Sequence, residues 1–427
     1  MSTPPPPLPL SPPPFPANDS ASLYPLPEPD RTLRMRLRWL LNGVLATFVI
    51  VAVFFSVAAV IRLFDLAPLF SLPPFVTADG SPMTMWIAIL VSLFSLWLNV
   101  IPHELGHALA GAARGMQLRI FSVGPLRIER DIKDTWRMRW GGNVRGIAGA
   151  AMIIPDPGKP PPTRIDYSIF ILGGPSANLW TAALCFFVLV GFDLPGTAHA
   201  IVFGFGVAAL VLGLFNLLPF QNKGWRTDGR VFFELFRHPG RIAAHARMTQ
   251  LTQQYQSGIR PRDWPAELIP DLEAGEPSVQ AFRANSLRLA FAADRNDIVM
   301  WREGIQWLVD HYWQTPAMMR QASAGTIAGF AAVVLRDIDL VKAWRPLCRG
   351  GLLNLSAYLH WLDAEAAALS GDADAMRHHI AWARTALATV FSEIEATLLS
   401  ERIDALEKRG AGDASISSSP LPPSPVD

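Results

Sequence analysis

The chain has 427 residues, half of them hydrophobic and only 17% charged, with a net charge of +1 at pH 7. An average soluble domain is about one quarter charged, so this deficit points to the membrane, and the lack of a basic excess excludes a nucleic-acid binder. Two cysteines, Cys185 and Cys348, exclude a disulfide framework and a four-thiolate metal site.

Residues 1–30 carry the run PPPPLPLSPPPFP, which favours polyproline II and has too little apolar surface to fold, so a disordered tail is predicted there. Four uncharged stretches follow: Trp39–Ile61, Met83–Pro102 with its helix running on through Ala113, Tyr167–Phe192, and Leu194–Asn222. A spanning helix needs about 20 apolar residues, and each stretch supplies them. Arg31, Arg34, Arg36 and Arg38 precede the first stretch, ten Lys or Arg lie between Arg114 and Arg164, and Lys223, Arg226, Arg230 and Arg237 follow the fourth. The connections 65–82 and 193–198 have none. That asymmetry predicts a multi-pass membrane protein with both termini cytoplasmic and the lipid bilayer as its surroundings.

Between the second and third stretches, LRIER (126–130) and TWRMRW (135–140) alternate apolar and polar residues about the polar DIKD, the pattern of a β-hairpin on the cytoplasmic side. Trp136, Met138 and Trp140 on its apolar face suggest contact with the membrane interface. From about Arg230 the chain reads as a soluble helical region of amphipathic segments with short Gly/Asp breaks, resembling tetratricopeptide-type pairs. The expected fold is therefore mainly α: about four transmembrane helices with a β-hairpin, then a C-terminal soluble helical domain. The expected boundaries are a tail at 1–30, a membrane domain at 31–230, a helical domain at 231–408 and a second tail at 409–427.

The chemistry concentrates in His103-Glu104-Leu105-Gly106-His107 at the cytoplasmic end of the second stretch. Histidines at i and i+4 share one helix face and reach one metal, while Glu104, one step round, faces a metal-held water without being a ligand. Imidazole and carboxylate donors with one position left open are the hydrolytic form of a zinc site. Ionisable groups in a spanning segment cost several kcal/mol and imply function. A third ligand must lie near the same membrane face. Asp228, just beyond the fourth stretch, is placed for that role and equally for capping the helix GRVFFELF.

These motifs resemble the site-2 protease family of intramembrane zinc metallopeptidases. HELGH matches the family's metal motif, Asn216-Leu217-Leu218-Pro219 with Asp228-Gly229 its second motif, and Gly174-Pro175-Ser176-Ala177-Asn178 its Gly-Pro-x-x-Asn segment. The resemblance covers roughly residues 80–230. It implies zinc held by His103, His107 and Asp228, Glu104 as general base, and Asn178 and Asn216 binding the substrate backbone. It also implies transmembrane protein substrates and a bacterial cytoplasmic membrane. The family places its Asp closer to the Pro, whereas QNKGWRT intervenes here. A competing reading is a catalytically inactive membrane-anchored scaffold whose helical domain binds a protein partner.

Elsewhere, His360, His378 and His379 read as surface or capping residues, since a metal site would need a carboxylate or thiol at matching spacing. Cys185 reads as an apolar packing residue. Trp301, Trp307, Trp313, Trp344, Trp361 and Trp382 read as the core of the helical domain.

Overall fold

The computed structural model describes residues 20–28, 94–130, 135–140, 148–156, 158–194, 196–222, 225–237, 239–272, 279–349, 351, 353–390 and 392–417. The first expected span and most of the second lie outside these residues. The chain is mainly helical with a small antiparallel sheet, and it divides into two units, residues 28–130 with 136–253, and residues 1–27 with 131–135 and 254–427.

In the first unit, helical residues 94–98 lead into α1 (Val100–Ala113). Its polarity is the reverse of a soluble helix. Phe94, Trp97, Ile101, Leu105 and Leu109 lie exposed at spacings of three and four, while His103, Glu104 and His107 are buried. An apolar stripe facing out and an ionisable stripe facing in are what a lipid-facing helix with a polar interior requires.

Four strands follow: β1 (Met116–Val123), β2 (Leu126–Arg130), β3 (Trp136–Trp140) and β4 (Gly149–Pro155). They form one antiparallel sheet in the order β3-β2-β1-β4. The expected hairpin is its β2–β3 half, with Leu126 opposite Trp140 and Ile128 opposite Met138. The inward positions of β2 are Arg127 and Glu129, both buried and ion-paired at 3.2 Å. Trp136, Met138 and Trp140 are all exposed. β1 buries Met116, Ile120 and Val123, and its register against β4 shifts between Leu118 and Ile120, a bulge that breaks the alternation.

Helix α2 (Arg164–Gly191) starts at a capping box: the Thr163 N–H donates to the Asp166 carboxylate at 2.7 Å, and the Asp166 N–H donates to Thr163 Oγ1 at 3.3 Å. Arg114, just past α1, donates to the same carboxylate at 2.6 Å, tying the two helices. Gly106 of α1 and Gly173 of α2 meet so closely that a Cβ on either would overlap the other's carbonyl. Small residues at such a crossing let two backbones approach within a membrane. Helix α3 (Gly196–Leu217) returns along α2. These two helices are the third and fourth expected spans. Trp180, Leu184, Phe187, Val190 and Ile201 remain exposed on them. After α3 come a two-residue ladder, β5 (Gln221–Asn222) with β6 (Trp225–Arg226), and the helices α4 (Asp228–Arg237) and α5 (Pro239–Gln256). The unit thus extends beyond the expected boundary at residue 230, into α5.

Among the described residues, two helices are long and apolar enough to cross a membrane, α2 and Met318–Leu335, with a shorter apolar helix at Ile201–Leu217. Burial separates the two. The apolar window of α2 is 28% buried and that of Met318–Leu335 56% buried. Ala324, Ile327, Ala328 and Ala331 of the latter are wholly enclosed in the core of the second unit.

That second unit is built from α6 (Val279–Arg295), α7 (Ile298–Asp310), α8 (Ala317–Phe330, extended by a π-turn over Ala331–Leu335), α9 (Ile338–Trp344), α10 (Ser356–Leu369), α11 (Ala373–Ala386) and α12 (Glu393–Ser417). Helices running from 7 to 25 residues do not make a regular repeat of equal pairs among the described residues. Trp301, Trp344 and Trp361 are core residues as expected, whereas Trp382 is 48% exposed. The expected 1–30 tail is not wholly apart from the fold. Leu23 is fully buried in this core, its carbonyl accepts from Trp344 Nε1 at 2.8 Å, and the Leu26 carbonyl accepts from Trp313 Nε1 at 2.7 Å. One leucine and two tryptophan donors anchor a segment whose average composition is disorder-prone.

Candidate metal centre

Helix geometry stacks His103 and His107 one turn apart on the buried face of α1, with their Nε2 atoms 3.3 Å from each other. The orientation of His107 is fixed from behind. Its Nδ1 donates to the Phe170 carbonyl of α2 at 2.9 Å. A carbonyl only accepts, so Nδ1 carries the proton and Nε2 presents its lone pair. Gly174, one turn along α2, leaves room for the ring, since a Cβ there would overlap His107 Nε2.

Asp228 completes the set. Its Oδ2 lies 3.1 Å from His103 Nε2 and its Oδ1 3.5 Å from His107 Nε2. One donor atom from each of the three residues falls within 4.8 Å of the others.

Asp228 arrives beside the histidines by a route that leaves the cap of the next helix to another residue. α3 ends at Leu217, two residues before Pro219, and the extra residues of QNKGWRT fold back on themselves as the β5–β6 ladder. The loop is closed at its base by the Thr227 N–H donating to the Phe220 carbonyl at 3.1 Å. Thr227 Oγ1 donates to the Leu218 carbonyl and accepts from the N–H of Phe220 at 3.0 Å and of Arg230 at 3.3 Å. The cap of α4 is therefore Thr227, which frees the Asp228 carboxylate to face the histidines. Gly229 allows the first turn of α4 to touch the end of α3, because a Cβ there would strike the Leu217 carbonyl. Asp228 thus follows a short ladder and still lies beside the two histidines.

Glu104 is buried beside this set and faces β4: a Cβ at Gly149 would lie 2.9 Å from its Oε1. The two asparagines are placed differently. Asn178 is completely buried at the α2–α3 contact, beside Gly213, and among the described residues neither its amide oxygen nor its amide nitrogen has a hydrogen-bond partner. Asn216, also buried, donates back to the Leu212 carbonyl of its own helix at 3.2 Å.

Two imidazole nitrogens and a carboxylate converging in a buried space, one imidazole fixed with its lone pair inward, fit a metal ion. Without a cation between them, three electron-rich atoms would be desolvated and crowded together. The sequence gives no role to Phe170, Gly174, Thr227 or Gly149. Gly174, Thr227 and Gly149 lie in or beside recognisable motifs, but nothing in the residue string assigns any of the four to a histidine, a loop or a carboxylate on distant elements.

Residues 91–205 match the model of Peptidase family M50. The matched segment includes His103, Glu104, His107 and Asn178 and ends before Asp228. No curated protein and no solved structure matches the chain.

Proposed function

From the match of residues 91–205 to the model of peptidase family M50, the site-2 protease family of membrane-embedded metallopeptidases, we propose that this chain is an intramembrane zinc endopeptidase acting on membrane-anchored proteins. The single observation that carries the proposal is the meeting of His103, His107 and Asp228 from α1 and α4 within one buried space. The three residues would hold zinc. Bound there, the ion would lower the pKa of a water towards about 7 and polarise the scissile carbonyl.

The remaining work falls to the chain's own groups. Glu104 accepts the proton of the attacking water and delivers it to the leaving amide nitrogen. The unpartnered amide of Asn178 supplies a donor and an acceptor for a substrate main chain, a role that Asn216 serves less well because its N–H is already engaged. β4, an edge of the described sheet with Gly149 beside Glu104, offers main-chain groups to an unwound substrate by strand addition. The apolar stripes of α1, α2 and α3 face lipid, and the exposed Trp136, Met138 and Trp140 of β3 sit at the membrane interface.

The placement of residues 20–28 within the unit formed by residues 254–427 supports a multi-pass topology with both ends of the chain on one side of the membrane. The positive-inside pattern makes that side the cytoplasm.

Glu104→Gln tests this reading. The substitution keeps the side-chain volume and removes the base. The variant should bind zinc as the wild type does and lose at least ~100-fold in cleavage of membrane-anchored substrates, as read by proteomics of membrane fragments. Undiminished cleavage would sink the protease. If both proteins bind zinc and neither cleaves such a substrate, the inactive scaffold is the better reading.

A further inference from the structure

A second group of metal donors lies in the helical unit. His360 and Asp363, three residues apart, share a face of α10, and packing of α11 against α10 brings up His379. One donor atom from each of the three lies within 4.8 Å of the others. The sequence reading set these histidines aside for want of a carboxylate, which the helix pair supplies.

The two helices are joined by a tight turn. Gly371 takes a φ of +76°, and Asp372 caps α11 by accepting from the Ala375 N–H at 2.9 Å. Trp361 and Ile380, both buried, fix the pair to the core. The rings of His360 and His379 lie 5.9 Å apart between centroids, inclined by 29°. Nδ1 of each is buried with no hydrogen-bond partner among the described residues. A buried polar atom left unsatisfied is costly, so an orphan on each of two neighbouring imidazoles calls for an occupant.

Asp363 is held by Arg345 through two parallel bonds of 2.6 and 2.7 Å. Each carboxylate oxygen retains a second lone pair, and a ligating carboxylate is commonly oriented by such an outer partner. Ligands at zinc bonding distance sit about 3.3 Å apart, which small side-chain rotations reach from the observed spacing.

We propose that His360, Asp363 and His379 form a second zinc site, which clamps α10 to α11 and leaves a coordination position for water or a side chain of another protein. All three residues are only partly buried, so the ion has a path from solvent.

The test uses the full chain in detergent carrying His103→Ala and His107→Ala, so that the first centre contributes no signal. After dialysis against a weak chelator, this protein should retain about one zinc per chain, and cobalt in its place should give visible absorption of a four- or five-coordinate nitrogen–oxygen site. Adding His379→Gln or, separately, Asp363→Asn should weaken zinc at least ~10-fold and abolish the rise in Tm that zinc confers on the background protein. Far-UV circular dichroism establishes that each variant remains helical. A background protein that retains no zinc overturns the proposal without reliance on any helical-unit variant. Zinc that persists undiminished after both substitutions overturns it equally.

Discussion

Gly174 and Phe170 determine how His107 can serve a metal. The Phe170 carbonyl fixes the tautomer, and the bare Cα of Gly174 provides the space in which Nε2 sits. Gly174→Ala would place a methyl group in that space while leaving a residue of higher helix propensity, so α2 should form at least as well as before. The ring must then rotate away from Phe170 or be pushed off the metal. The expected outcome is a loss of about 10- to 100-fold in zinc affinity with unchanged helicity, measured by chelator competition and circular dichroism. Equal affinity in the variant would mean that His107 has freedom this packing does not allow. At this scale the histidine pair was legible because a helix converts a spacing of four into proximity. Glu104 was legible with it. Asp228 was left open between ligand and cap, because the local string is the same for both. What separates them is that Thr227 occupies the cap, a three-dimensional fact.

Among the elements, the ladder β5–β6 and the cap at Thr227 decide whether Asp228 on α4 meets His103 and His107 on α1. Thr227 Oγ1 bridges the end of α3, the loop and the first turn of α4, and the residue is completely buried. Thr227→Val keeps the shape and removes the hydroxyl. Loss of an N-cap costs about 1–2 kcal/mol, and it leaves the Leu218 carbonyl and two N–H groups without this partner. The variant should fold, lose thermal stability by about that amount, and bind zinc several-fold more weakly because Asp228 is no longer held. Weakened stability with full zinc affinity would place the positioning of Asp228 elsewhere, for instance in the contact of Gly229 with Leu217. The sheet shows what the sequence hides at this scale. The β2–β3 hairpin was visible from its alternation, but β1 carries a bulge and β4 reads GAAMIIP, so neither keeps a clean period of two. On β2 the alternation is inverted relative to a soluble sheet, since Arg127 and Glu129 are buried as an ion pair while Leu126 and Ile128 are only half-buried.

Across the whole molecule, residues 20–27 fold with the helical unit of residues 254–417. Averaged over residues 1–30, proline and serine predict a tail, and averaging conceals Leu23, whose side chain is wholly enclosed. Leu23 sits in the core formed by α7, α8, α9 and α10, with Trp344 donating to its carbonyl, Trp313 donating to that of Leu26 and Ser22 donating to Gln306 at 3.0 Å. Leu23→Ala removes a buried side chain from a site surrounded by large residues, which costs about 2–5 kcal/mol depending on how far the cavity collapses. The full-length variant in detergent should therefore show a lowered unfolding midpoint for the helical unit, although the substitution is more than two hundred positions away along the sequence. The same contact constrains topology. On the proposed multi-pass reading, a segment preceding every expected span is built into a unit following the last one, which requires an even number of crossings between residues 28 and 254. Single cysteines replacing Ser22 and Asp374 in a cysteine-free chain should react with an impermeant maleimide in inverted vesicles and stay protected in right-side-out cells. Opposite labelling of the two positions would show that residues 20–28 do not occupy the helical unit in the membrane, and Leu23→Ala should then leave the unfolding midpoint where it was.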